Sequence, residues 1–233
     1  MMILCLNTST VQFGISLLEE DGRLLSEVIL GSGGKNYRGF LPALHNLMRE
    51  SRVETGEIGS LAVALGPGSF TGLRVGLATA KGLCQGLDIP AVGVSSLEAM
   101  ASQAPLSQYP VCPLISSRKG EVFAALFRWS GAGTMERIKE DACLKFREIP
   151  SYVEGEALFL GNDFALQAPP IQDLFSGDAL LAPAPLWTLR ASAVGLVAFP
   201  RIRAHSFDDL QDLIPAYMRP PDIRPNPYPL HRP

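Results

Sequence analysis

The sequence is poor in histidine and cysteine, and neither residue type is arranged to hold a metal ion. Its three histidines form no H-x-x-x-H or H-E-x-x-H pair, which excludes the zinc site that such pairs build on one face of a helix. Its four cysteines, Cys5, Cys84, Cys112 and Cys143, form no C-x-x-C pair, so neither a zinc site nor a thioredoxin-type motif is expected. We predict free thiols, most of them buried, and no metal site.

The sequence also lacks a long apolar run, a charged leader and an excess of positive charge. No apolar stretch reaches the roughly 18 residues that a membrane-spanning helix needs, and the first residues do not resemble a signal peptide. The formal net charge of −3 argues against strong binding of nucleic acid through a basic face. We therefore expect a soluble, cytoplasmic protein without membrane contact, in which another subunit holds most of any RNA.

What the sequence does contain is a regular succession of apolar segments and turns. Residues 3–6, 13–18, 24–30, 61–65 and 89–94 read as strands, with helices at 40–49, from 71 and from 96. The second half repeats the pattern in shortened form, with strands at 111–115, 121–129, 135–145, 157–160 and 179–181 and helical spacing at 187–199. This order predicts an α/β protein of two ribonuclease-H-like halves with mixed sheets, an actin-like (ASKHA) fold whose second half is degenerate. We place the halves at 1–103 and 110–218, followed by a proline-rich tail at 219–233.

Residues 61–87 give the clearest local signal, a buried strand followed by a Gly-Pro-Gly turn and a helix. The spacing of the glycines matches neither a Walker loop nor a dinucleotide fingerprint. Gly72, Gly76 and Ala80 recur every four residues and give the helix one smooth face. Because glycine inside a helix costs about 1 kcal/mol relative to alanine, something is expected to approach this helix closely. Two alternatives remain open: its own sheet, or the helix of a partner.

Residues 58–101, and the motif within them, closely resemble the TsaB (YeaZ) family of bacterial proteins. Looser similarity covers the ILCLNTST start, the SSRKGEVFAALF run and PAYMR near the end. The resemblance implies an actin-like fold and a non-catalytic relative of the TsaD family, which acts in the formation of threonylcarbamoyladenosine in tRNA. The motif residues are Gly66, Pro67, Gly68, Ser69, Phe70, Thr71, Gly72 and Arg74.

The loop after the first strand, Asn7, Thr8, Ser9 and Thr10, is a candidate nucleotide or phosphate loop, and turn capping is the alternative. Actin-like nucleotide enzymes carry an aspartate at its start, and the TsaB family generally reads Asp-Thr there, whereas this sequence has Asn7. It departs again at Ser116, where family members tend to read Asp-Ala-Arg. An amide or hydroxyl replaces a carboxylate poorly as a ligand for a hard cation, so we predict no catalytic residue.

The resemblance implies a protein that binds and activates a TsaD-like threonylcarbamoyltransferase, with a TsaE-like ATPase in the same pathway and tRNA contacted through the complex. A homodimer, and ATP or ADP at the partner interface, remain open. The alternative is an actin-like small-molecule kinase or ATPase with an atypical site. In the docking hypothesis, Gly76→Leu abolishes the complex and leaves the monomer folded. The predicted docking surface consists of Leu41, Leu44, Met48, Gly72, Leu73, Gly76, Leu77 and Ala80.

Overall fold

The first half forms a five-stranded mixed sheet in the computed structural model, which describes residues 1–31, 37–104, 106–131 and 134–219. The predicted tail lies outside the described residues from position 220 onward. The strands are β1 (Met2–Asn7), β2 (Gln12–Leu18), β3 (Leu24–Gly31), β4 (Ile58–Gly66) and β5 (Ala91–Ser95). Their order in the sheet is β3-β2-β1-β4-β5, with β1, β2 and β3 antiparallel and β1, β4 and β5 parallel.

Three helices connect or follow these strands: α1 (Phe40–Ser51), α2 (Phe70–Leu87) and α3 (Ser96–Ser102). The Ser69 hydroxyl caps α2 by accepting the amide N–H of Gly72 at 3.2 Å, and serine is a preferred residue at this position. Even α2, at 18 residues, does not meet the length and hydropathy needed to cross a membrane, nor does any other helix in the described ranges.

The second half repeats the topology of the first. Its elements are β6 (Val111–Ser116), β7 (Glu121–Trp129), β8 (Met135–Lys145), α4 (Ile149–Val153), β9 (Leu158–Gly161), α5 (Phe164–Leu174), β10 (Leu180–Leu181) and α6 (Ala191–Arg203). The strand order, β10-β9-β6-β7-β8, matches the first sheet when β6 takes the place of β1. The predicted strands are all present, but β10 has only two residues and α4 only five, so the repeat is shortened as expected.

The predicted start of the last helix at residue 187 is wrong, because α6 begins only at Ala191. Trp187 is buried before the helix, where its indole N–H donates to the Ala182 carbonyl at 2.9 Å. Its apolar character therefore serves the core and not a helical face.

Helices α3 and α6 lie between the two sheets, and α1 and α2 cover the outer face of the first sheet. The four cysteines are free thiols, as predicted, and three of them are buried. Burial raises the pKa of Cys5 and Cys112 to about 12 and that of Cys84 to about 11. The three buried thiols, Cys5, Cys84 and Cys112, are therefore protonated and unreactive at neutral pH.

Candidate functional site

The loop after β1 is buried and satisfies its own polar groups. Asn7 is fully buried, and its side-chain N–H donates to the carbonyl oxygen of Leu189 at 2.8 Å. The other side of the amide, Oδ1, accepts the Ser9 amide N–H at 3.0 Å and the Ser9 hydroxyl at 2.7 Å. Leu189 precedes α6, which packs against the strands of the first sheet, so Asn7 fixes the start of α6 on that sheet.

The remaining loop residues point the same way. The Thr8 hydroxyl donates to the Gly72 carbonyl at 2.7 Å, and the Thr10 hydroxyl donates to the Gln12 carbonyl at 2.7 Å. The Ser9 carbonyl accepts the Ser69 amide N–H at 2.7 Å. These side-chain bonds are those of a buried turn, the alternative interpretation, although Ser9 and Thr10 also line a cavity of about 240 Å³. The assignment of residues 7–10 as a nucleotide or phosphate loop stays a prediction.

The magnesium nucleotide that an actin-like fold implies does not fit this loop. The amide of Asn7 presents a donor to a carbonyl and has no carboxylate to offer a cation. At the matching position of the second half, the Ser116 amide N–H donates to Asn162 Oδ1 at 2.7 Å. Within the described ranges there is also no group of three or more His, Cys, Asp or Glu residues that could hold a metal ion.

The smooth face of α2 packs against its own chain. A Cβ atom at Gly72 would collide with the Thr8 carbonyl oxygen and the Tyr37 hydroxyl, and one at Gly76 would collide with the Thr8 hydroxyl. The group that approaches these glycines closely is therefore the loop after β1.

This packing corrects the predicted docking surface. Six of its eight residues are buried inside the chain, and only Leu41, at 58% exposure, and the half-buried Met48 reach solvent. A leucine at Gly76 would enter the loop after β1 before it met any partner. The buried six are Leu44, Gly72, Leu73, Gly76, Leu77 and Ala80.

Helix α2 presents a different face to solvent. Ala78, Gly82, Gln85 and Gly86 are exposed, and Cβ atoms at Gly82 and Gly86 would meet nothing within 4 Å. We call these four residues the outer face of α2. Periodicity could have indicated this face, because the four glycines of α2 divide into two pairs that do not share one side of the helix.

Several motif residues line a cleft between the halves. This central cleft, of about 370 Å³, is lined by Ser69 and Phe70 from the motif, by Ser116 and Arg118 from the β6–β7 turn, and by Tyr217. Gly68, which also lines the cleft, packs closely against the loop after β1, because a Cβ atom at Gly68 would collide with the Ser9 carbonyl.

Arg74 and Phe70 join α2 to the C-terminal segment. The Phe70 and Tyr217 rings stack with centroids 5.0 Å apart. The Arg74 guanidinium lies 3.9 Å from the Phe70 ring centroid, and its Nε–H donates to the Tyr217 hydroxyl at 2.9 Å. The motif residues Phe70 and Arg74 therefore fix Tyr217, near the end of the described chain, against the start of α2.

Comparison with known proteins gives matches over most of the chain. The family model described as "TsaD: tRNA N6-adenosine threonylcarbamoyltransferase" matches residues 37–217. The "tRNA threonylcarbamoyladenosine biosynthesis protein TsaB" of Bacillus subtilis (strain 168) is 30% identical over 222 residues, 94% of each chain.

Two solved structures confirm the predicted actin-like fold. An uncharacterized protein from Pseudomonas aeruginosa with similarity to peptidase YEAZ has a TM-score of 0.77 at 21% identity, covering 94% of this chain and 99% of that chain. The activator of the 2-hydroxyisocaproyl-CoA dehydratase from Clostridium difficile, solved with bound ADPNP, has a TM-score of 0.55 at 9% identity, covering 88% and 97%.

Proposed function

The chain belongs to the TsaB (YeaZ) family, and on that premise we propose that it is a non-catalytic partner that binds and activates a TsaD-like threonylcarbamoyltransferase. The reaction of that enzyme is the formation of threonylcarbamoyladenosine in tRNA. The proposal places the protein in the cytoplasm, with a TsaE-like ATPase acting in the same pathway. The name of its Bacillus subtilis relative supports the pathway.

The buried amide of Asn7 is the observation that supports a non-catalytic role. An actin-like nucleotide enzyme needs polar groups that face a ligand in this loop, whereas those of residues 7–10 are bonded within the chain. The segment before α6 is held further by Gln103, whose side-chain N–H donates to the Thr188 carbonyl at 3.0 Å. It is also held by Glu27, which accepts the Ser192 amide N–H at 2.8 Å. These bonds hold the start of α6 against the first sheet and leave the side chains of the loop bonded within the chain.

The docking surface of the proposal is now the outer face of α2 together with the exposed side of α1 around Leu41. An exposed helical glycine with no neighbour costs about 1 kcal/mol relative to alanine, and Gly82 and Gly86 both have this property. A partner helix can pack closely on such glycines, and the contacts it makes there would offset this cost. The family model that matches this chain is that of the transferase, so the partner would bring a related pair of helices.

Ala78→Leu tests this surface, because Ala78 is exposed on α2. We expect the variant to fold normally and to lose most of its binding to a purified TsaD-like subunit, by about a hundredfold or more, since the three added carbons separate the helices. Isothermal titration calorimetry measures binding, and mass spectrometry of modified tRNA measures activation. Ala165→Leu, at an exposed position of α5, is the matched control and should leave both unchanged.

Two results would contradict the proposal. If the Ala78→Leu variant bound the TsaD-like subunit as tightly as the wild type, the outer face of α2 would not be part of the interface, and the proposed docking surface would be wrong. Magnesium-dependent ATP turnover by the purified chain alone would instead support the small-molecule kinase or ATPase alternative. Analytical ultracentrifugation of the same samples separates a homodimer through this face from the heterodimer.

A further inference from the structure

Six cations lie in or beside two neighbouring clefts, although the chain as a whole carries a net charge of −3. Arg118 and Arg219 line the central cleft itself. An adjoining cleft of about 360 Å³ is lined by Lys119, Lys145 and Arg147. We call this group, completed by Arg74 beside Tyr217, the basic strip: Arg74, Arg118, Lys119, Lys145, Arg147 and Arg219.

Few carboxylates line the two clefts, although Glu148 lies beside the strip and accepts the Lys145 amide N–H at 2.9 Å. Glu121 is the one acidic residue among those that line the two clefts, and it pairs with the Arg219 guanidinium. The two turns that carry the other cations are joined, because the Phe146 amide N–H donates to the Gly120 carbonyl at 3.3 Å. Arg219 is half-buried, and the other five side chains are exposed. A polyanion would therefore meet several positive charges on one rigid edge.

Aromatic rings accompany these charges. Phe70 and Tyr217 are 39% and 42% exposed, and they stack on each other at the mouth of the central cleft. The Arg74 guanidinium packs against Phe70 and fixes Tyr217 by a hydrogen bond. Exposed rings of this kind stack on unpaired bases, and arginine planes beside them add to the attraction. Charge alone would suit any anionic surface, whereas rings and charge together favour RNA.

We propose that the basic strip and the Phe70–Tyr217 pair form a direct contact surface for RNA. The cations neutralise backbone phosphates, and the aromatic pair stacks on a base of a single-stranded segment. The inference builds on the proposed function, in which the RNA is the tRNA that is modified. It assigns this chain a direct contact with that tRNA, where the net charge had suggested only an indirect one.

The test measures binding of tRNA by the full chain. Fluorescence anisotropy of labelled tRNA monitors the binding at several salt concentrations. A variant with Lys119→Ala, Lys145→Ala and Arg147→Ala should bind at least tenfold more weakly, with a salt slope reduced by about 2 to 3 because each lost phosphate contact removes about one unit. Tyr217→Leu should weaken binding about fivefold or more through lost stacking, with little change in the salt slope.

A variant with Arg23→Ala, Arg128→Ala and Arg203→Ala, three exposed cations away from the strip, is the matched control. It should keep the affinity and salt slope of the wild type, and thermal melts should show all variants folded. Equal loss in this control would mean diffuse attraction and would overturn the proposal. So would the absence of binding at about 50 mM salt and about 100 μM protein, where even non-specific complexes form. Binding of ADP or anionic vesicles to the strip, without tRNA, would overturn it as well.

The same variants separate this inference from the proposed function. Activation of the TsaD-like subunit without any binding of tRNA by the chain would overturn the inference and leave the proposed function in place. Binding of tRNA that depends on the strip, without activation of the transferase, would do the reverse.

Discussion

Gly72→Ala is expected to lower the free energy of unfolding by about 2 kcal/mol or more, although alanine is the better helix former. The new Cβ atom would overlap the Thr8 carbonyl oxygen and the Tyr37 hydroxyl. The carbonyl is backbone inside a buried turn and cannot swing aside, so the loop after β1 must shift. Overpacking of this kind costs about 1 to 3 kcal/mol or more, and the turn also loses the bond from Thr8 to Gly72.

Gly82→Ala is the matched control on the same helix and should have the opposite sign. Its Cβ atom meets nothing within 4 Å, so only the gain in helix propensity, about 1 kcal/mol, remains. For a chain of this size we expect the melting temperature to fall by about 4 to 8 °C for Gly72→Ala and to rise by about 2 to 4 °C for Gly82→Ala. Differential scanning calorimetry measures both. Equal shifts in the two variants would mean that the loop does not pack on α2 as described.

Asn7→Asp is expected to destabilise the fold by about 3 to 5 kcal/mol at neutral pH, the range found when a buried charge lacks a partner. The substitution replaces the N–H that donates to the Leu189 carbonyl at 2.8 Å by a carboxylate oxygen facing another oxygen. Burial and this repulsion both raise the pKa of the new carboxyl above its unfolded value of about 3.9.

The sign of the pH dependence follows from that raised pKa. Below the unfolded pKa the carboxyl is protonated in both states, and its O–H can donate to the Leu189 carbonyl. As the pH rises through the folded pKa, the folded state must hold an unfavourable charge, so stability is lost. Urea denaturation should therefore show a small difference from the wild type near pH 4.5 and a large one at pH 7.5.

Asn162→Asp supplies the matched control at another buried asparagine. Both side-chain bonds of Asn162 use Oδ1 as the acceptor, for the Ser116 amide N–H at 2.7 Å and the Gln167 side-chain N–H at 3.2 Å. A carboxylate accepts both, so we expect a cost within about 1 kcal/mol. If Asn7→Asp were as mild as this control at neutral pH, the bond from Asn7 to Leu189 would not be what holds the start of α6 in place.

The strands, their succession along the chain and the actin-like fold could be predicted from the sequence, whereas the order of the strands within each sheet was not predicted. Alternation and apolar runs report which residues face a core, and these signals are local in the chain. These signals were strong for residues 61–87. They were misleading at Trp187, because this buried residue lies before α6 at a position that continues the helical spacing of the apolar residues within α6.

The sequence by itself determined that α2 must be approached closely, because its glycines are expensive wherever the helix sits. Only the tertiary structure decided which group approaches them. Gly72 and Gly76 meet Thr8, a residue more than sixty positions earlier, and Asn7 meets Leu189 across 182 positions. Contacts over such separations leave no periodic trace, since they depend on how the two sheets and α6 pack together. The basic strip has the same origin, because its cations come from four separate segments of the chain that only the fold brings close together.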